Sequence, residues 1–219
     1  MSRTTKPMTP ELHDYLVRHN RPEPDEVLLD LADETAQALP DDARMQIAPE
    51  QGAFMTLLTK VVGVRFAVEV GTFTGYSSTC VARGLTEGGR LLCCDVSEEF
   101  TAIARRYWDR AGVADRIELR LAPAIETLRA LPSDPPIDLA FIDADKEGYV
   151  DYWEEIVPRV RPGGVVLVDN VFASGRVVAD DPGPTSKAIQ RFNDHAAADD
   201  RVELAMLPIA DGLTFARKL

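Results

Sequence analysis

The sequence predicts an α/β fold: a Rossmann-like, doubly wound sheet of seven strands, mainly parallel, with an antiparallel C-terminal hairpin and helices on both faces. Three observations predict it. From residue 65 onward, short apolar runs alternate with helical stretches, the pattern of right-handed βαβ units. The runs are unbroken rather than alternating, as strands buried on both faces are. The last two, Val202–Leu207 and Leu213–Arg217, are separated only by Pro208–Gly212, which is too short for a crossover and therefore makes a hairpin.

The elements follow in order. Thr9-Pro10-Glu11 is a helix start, with a capping hydroxyl and proline at the first position, and Leu12, Tyr15 and Leu16 follow at helical spacing. Asp25 to Leu39 repeats the pattern through Val27, Leu28, Leu31 and Ala32. Pro49 opens a third helix with Phe54, Leu57, Leu58 and Val61 on one face. Strands are expected at Phe66–Val70, Leu91–Cys94, Ile117–Leu121, Ile137–Ile142 and Val165–Val168. Helices are expected at Tyr76–Leu85, Glu98–Ala111, Ala124–Leu131 and Tyr149–Val157. Residues 1–219 form one domain in this reading, with 1–62 a helical cap and dimerisation region, because its one-sided apolar helices need something to cover.

The chemistry sits where apolar runs stop. Leu139-Ala-Phe-Ile-Asp143-Ala-Asp145-Lys146 and Val165-Val-Leu-Val-Asp169-Asn170 each end abruptly in acid or amide oxygens. Open α/β sheets bind ligands at the carboxyl ends of their strands, so Asp143, Asp169 and Asn170 would meet at one rim. Three hard oxygen donors suit Mg²⁺, or a similar cation such as Ca²⁺ or Mn²⁺, better than zinc. Lys146, one helical turn beyond Asp143, is the candidate base.

The first strand runs into Glu69-Val-Gly71-Thr-Phe-Thr-Gly75-Tyr-Ser77. Glycines at this turn allow close backbone approach, and the helix that follows presents free N–H groups. The spacing is Gly-x-x-x-Gly, not the tighter Gly-x-Gly-x-x-Gly that a dinucleotide pyrophosphate needs. S-adenosylmethionine has no phosphate and tolerates the looser loop. Asp95, ending the second strand, can accept hydrogen bonds from both ribose hydroxyls. Glu69 can attract an amino acid ammonium or the loop's own N–H groups. Taken singly, each glycine is also a plain turn residue and each acid a helix cap; their combination at successive strand ends points to a nucleoside cofactor.

These residues resemble the metal-dependent O-methyltransferases of the caffeoyl-coenzyme A and catechol type, in particular small bacterial members. The matching pieces are Met45–Gly52, Val68–Ser77, Phe141–Lys146, Gly163-Gly164 before Val168-Asp169-Asn170, and Met206–Gly212. The resemblance implies Asp143, Asp169 and Asn170 as metal ligands and Lys146 as catalytic base. It implies Met45, Glu69, Gly71, Ser77, Asp95, Ala124 and Asp145 around S-adenosylmethionine. Two departures stand out: Ile47 replaces a cofactor-contacting hydroxyl of plant members, and Ala173 replaces their substrate-stacking tryptophan, which argues against a plant-type coenzyme A ester. The implied reaction is methyl transfer to one hydroxyl of a vicinal dihydroxy-aromatic small molecule. Phe172 and Arg176, after Asn170, are the candidate substrate contacts, while Tyr149, Tyr152 and Trp153 are read as core.

Composition bounds the alternatives. A net charge of −12 opposes a nucleic-acid partner, although Arg18, Arg21 and Arg44 leave room for a hydroxylated tRNA base as the acceptor. A non-catalytic nucleoside-binding protein is opposed by the intact set Asp143, Lys146, Asp169 and Asn170. Cys80, Cys93 and Cys94 form no disulfide framework and read as buried thiols. No segment reaches membrane-spanning length. The expectation is a soluble, cytoplasmic homodimer.

Overall fold

The computed structural model describes residues 7–132 and 134–219. The seven strands are β1 (Phe66–Val70), β2 (Arg90–Asp95), β3 (Ile117–Leu121), β4 (Ile137–Ile142), β5 (Val160–Asp169), β6 (Val202–Leu207) and β7 (Leu213–Lys218). They form one sheet in the order β3-β2-β1-β4-β5-β7-β6. The strands β3 to β5 pair parallel, whereas β7 runs antiparallel to both β5 and β6. Strand order reverses direction between β1 and β4, the topological switch point where such sheets open a crevice at their carboxyl ends.

Side-chain alternation divides the core into two layers. Ala67, Leu91, Cys93, Leu139, Phe141, Val165 and Leu167 face one side, where α2 (Glu26–Ala38), α3 (Pro49–Val62), α4 (Tyr76–Gly84) and α5 (Glu98–Arg110) lie. Val68, Val70, Leu92, Cys94, Ala140, Ile142, Val166 and Val168 face the other, under α6 (Ala124–Ala130), α7 (Tyr149–Ile156) and α8 (Pro184–Ala197). The remaining helix, α1 (Pro10–His19), comes first in the chain and buries no residue.

Local signals account for most boundaries. Thr9 Oγ1 accepts from Leu12 N, Asp25 from Leu28 N, and Ser97 from Phe100 N, capping α1, α2 and α5. Gly63, with φ 69°, closes α3 in the left-handed conformation. The structure departs from the sequence expectation at β5, which begins at Val160 rather than Val165. Arg161-Pro-Gly-Gly reads as a turn, but it continues the strand through a register shift opposite Ile137 and Leu139. Asp143 and Lys146 also do not share a regular helical turn. Asp143 precedes a 3₁₀ turn, Lys146–Gly148, whose start is capped by Asp145 accepting from Gly148 N.

Under the second face, Phe192 is fully buried and meets Tyr149 and Trp153 edge-on, with ring centroids 5.5 and 5.7 Å away. These rings carry α7 against α8 and so hold the segment that delivers Lys146. Phe192→Ala should cost about 3–5 kcal/mol of unfolding free energy, read as a lower urea midpoint. A loss below about 1 kcal/mol would show that α8 does not carry this face.

Candidate active site

The carboxyl ends of β1, β2, β4 and β5 open into one cavity of about 790 Å³, a size typical of small-molecule and cofactor sites. Met45, Gly71, Ser77, Asp95, Ala124 and Asp145 line it, together with Asp143, Lys146, Asp169 and Asn170. Glu69 lies behind the wall, against Ser77 and Thr72, which do line it. Strand alternation points Glu69 into the α4 side of the sheet, where it pairs in register with Cys93 and Phe141. It is fully buried.

The loop after β1 is shaped by close approach. Gly71 has φ 87°, and a Cβ there would lie 1.9 Å from the Asp143 carbonyl oxygen, so only glycine fits. Asp95 tightens the same loop. Its Oδ2 accepts from Thr72 N at 2.9 Å and Phe73 N at 2.8 Å, and its Oδ1 from Ser97 N at 2.8 Å. Oδ2 is thereby filled, while Oδ1 retains a lone pair for a ligand. Phe73, Asn170 and Ala210, all lining the cavity, hold left-handed backbone angles of 51°, 59° and 46°. Such conformations cost energy in non-glycine residues and gather at binding sites.

At the other end, Asp143 follows β4 and is tied to β1 by its N–H donating to Val70 O at 2.8 Å. Asp169 ends β5 and is 2 % exposed. Burial first, and the Asp143 carboxylate second, push Asp169 up to about 7. Its Oδ1 accepts from Asn170 N at 2.6 Å and its Oδ2 from Gln51 Nε2 at 2.7 Å. The Lys146 ammonium donates to Asp143 Oδ1 at 3.0 Å, Asn170 Oδ1 at 2.6 Å and the Tyr149 hydroxyl at 2.6 Å. Tyr149 in turn donates to Asp169 O at 3.2 Å.

The donor chemistry fits a divalent cation. A carboxylate oxygen and an amide oxygen already converge on one positive charge, and the buried carboxyl group of Asp169 stands beside them. The set holds two acids and an amide; among the described residues, no three His, Cys, Asp or Glu side chains cluster.

Sequence reasoning missed several neighbours. Tyr149 and Tyr152 are core residues, as their helical spacing predicts, and their hydroxyls add polar contacts that the spacing does not reveal. Tyr149 is buried, yet its hydroxyl holds Lys146; Tyr152 lines the cavity and donates to Asp145 Oδ1 at 2.6 Å. A hydroxyl on an otherwise apolar helix face was the available signal. Phe172 and Arg176 do not line the cavity. Val171 N and Phe172 N bond to Gly212 O and Asp211 O, and this pairing turns Ala210 and Asp211 inward instead. The thiols are buried as expected, and burial pushes those of Cys80 and Cys94 up to about 12.

A sheet of this order with a reversed final strand, and a ligand cavity at its switch point, defines a Rossmann-like methyltransferase. Residues 19–219 match the sequence profile of the O-methyltransferase family. Caffeoyl-CoA O-methyltransferase 2 of Zea mays is 36% identical over 186 residues, covering 80% of this chain and 70% of its own. The O-methyltransferase of Bacillus cereus, solved in complex with SAH, superposes with a TM-score of 0.85 at 32% identity, covering 95% of this chain and 97% of that one. TomG of Streptomyces achromogenes, an O-methyltransferase of tomaymycin synthesis solved with SAM, gives 0.85 at 29% identity over 95% and 96%. The chain belongs to the O-methyltransferase family and is an enzyme of that type.

Burial, opposed by the nearby Ser77, Cys93 and Thr72 side chains, raises Glu69 from 4.5 to about 8. A raised folded-state value means that the folded protein keeps a proton which the unfolded chain releases above 4.5. The resulting stabilisation is complete below that value and is lost as pH rises through about 8. Urea midpoints should therefore fall from about pH 5 to about pH 9 more steeply for the native chain than for Glu69→Gln. Parallel profiles would show Glu69 ionised in the fold.

Proposed function

We propose that the protein transfers a methyl group from S-adenosylmethionine to one hydroxyl of a vicinal dihydroxy-aromatic small molecule, with a divalent cation, Mg²⁺ first, held by Asp143, Asp169 and Asn170. The observation that carries this reading is the convergence of Asp143 Oδ1 and Asn170 Oδ1 on the Lys146 ammonium, beside buried Asp169. The same cavity also takes in the glycine loop and Asp95. SAH and SAM in the related structures support the donor, and the named acceptor of the plant relatives supports an aromatic hydroxyl.

The roles divide along the cavity. Gly71 and Ser77 give the donor a wall it can approach closely, Asp95 offers the free lone pair of Oδ1 to a ribose hydroxyl, and Met45, Ala124 and Asp145 complete that end. A bound cation would supply Lewis acidity, lowering the pKa of a coordinated hydroxyl. Lys146 stands where it can hold or take the acceptor's proton at Nζ, with Tyr149 fixing its reach. Asp143 and Asn170 hold the acceptor end in place, so that attack on the methyl proceeds in line and positioning supplies much of the rate.

The net charge of −12 favours a small-molecule acceptor over nucleic acid. No helix among the described residues is long and apolar enough to cross a membrane, and three buried thiols suit the reducing cytoplasm. We further propose one domain over 1–219, with the helices of 1–62 forming a cap and a homodimer contact. Leu57 and Val61, one turn apart on α3, are 47% and 83% exposed. Light scattering should give twice the chain mass; a monomer at micromolar concentration would refute the contact.

Chelation should abolish turnover of a catechol and Mg²⁺ should restore it. Lys146→Ala should bind cation and cofactor yet turn over about a hundredfold or more slowly. S-adenosylmethionine should raise the thermal midpoint and NAD should not, and Asp95→Ala should shrink that rise. Full activity in excess chelator, on a monohydroxy acceptor and with Lys146 removed, would sink the mechanism.

A further inference from the structure

Gln51 has no role in the scheme above, yet it is the most constrained polar side chain of the cavity wall. It lies on α3, far in sequence from every residue assigned to the cation, and it is fully buried. Its Nε2 donates to Asp169 Oδ2 at 2.7 Å. Its Oε1 is buried and has no hydrogen-bond partner. An unpaired buried carbonyl oxygen costs about 1–3 kcal/mol. Turning the amide over does not relieve the cost at a loaded site, because a carboxylate that holds a cation is ionised and only accepts. The Asp169 contact therefore fixes Nε2 inward and leaves Oε1 open.

The backbone cannot carry Gln51 away either. A Cβ on the next residue, Gly52, would lie 2.9 Å from both Cys80 Sγ and the Tyr76 ring. The first turn of α3 thus presses directly on α4. Thr56 Oγ1 closes the contact by donating to Gly52 O and Cys80 O, both at 3.0 Å.

We infer that Gln51 is the positioning residue for Asp169, and that its Oε1 accepts an O–H hydrogen carried by a ligand at the cation, either a coordinated water or the acceptor's hydroxyl. This inference rests on the proposed cation site. Groups that orient a metal ligand from behind typically change metal affinity by about ten- to a hundredfold when removed. In this protein the one amide would do both tasks, aiming the carboxylate with its nitrogen and satisfying the ligand with its oxygen.

The test is calorimetric titration of the full chain, saturated with SAH, with manganese(II) chloride, with and without catechol. The native chain is compared with Gln51→Met, which keeps the volume without the polar atoms, and Gln51→Glu, which keeps an acceptor oxygen. SAH affinity and the thermal midpoint serve as controls for folding. Gln51→Met should bind Mn²⁺ about tenfold to a hundredfold more weakly with SAH binding intact. Gln51→Glu should recover cation binding, since its carboxylate supplies the missing oxygen. Weakening without catechol assigns the coordinated water; weakening confined to catechol binding assigns the acceptor hydroxyl. Native-like binding of both Mn²⁺ and catechol by Gln51→Met overturns the inference. Equal losses in both variants, each folded, overturn the role of Oε1. Absence of Mn²⁺ binding in the native chain overturns the cation site itself, which the variants alone would not show.

Discussion

Two carboxylates meet at the ends of β4 and β5, and one of them is almost out of water. Asp143 and Asp169 repel each other, and burial removes the solvent that would screen them. Lys146 answers with one ammonium shared among Asp143, Asn170 and Tyr149, while Asp169 is held by an amide and a backbone N–H. The surrounding architecture follows from keeping this arrangement intact. The aromatic cluster of α7 and α8 fixes the segment bearing Lys146 and Tyr149. The contact of α3 with α4 brings Gln51 to the pair. The strained Asn170 backbone points its side chain inward. A site that concentrates negative charge in a dry place is costly as an end in itself and useful as a seat for a cation.

The sheet was legible because its signals are local. Unbroken apolar runs gave β1, β2 and β4, and the short Pro208–Gly212 gap gave the hairpin. The strand-end acids were legible for the same reason: a run such as Val165–Val168 that stops at Asp169-Asn170 has a carboxyl end readable from the chain. The start of β5 at Val160 was not legible, because Arg161-Pro-Gly-Gly interrupts the apolar run that marks the rest of the strand. Glu69 stands in the layer of α4, beside Cys93, and the loop that follows it lines the cavity. Gln51 and Tyr149 lay beyond local reading, since each acts on a partner delivered by another element. Nothing around Gln51 in sequence announces Asp169.

Family membership and geometry speak to different halves of the reaction. The donor half rests on a loop and an acid, Asp95, whose oxygens also organise that loop, so its shape is built in before any ligand arrives. Ala210, Asp211 and Arg44 bring to the cavity wall side chains from connections outside the sheet. Substrate identity is therefore written in the loops and chemistry in the sheet, the usual division of labour in α/β enzymes.

The contact between Gly71 and the Asp143 carbonyl has a consequence for how such an enzyme can change over time. The two backbone segments touch with no room for a single methyl group between them, so the donor loop and the acid-bearing strand behave as one rigid joint. A substitution on either side of that joint displaces both halves of the reaction together. Variation that alters the acceptor without losing the methyl transfer must accumulate elsewhere, in the segments after β5 and between β6 and β7. Those segments stand clear of the joint, so a side chain exchanged there leaves the Gly71–Asp143 contact untouched.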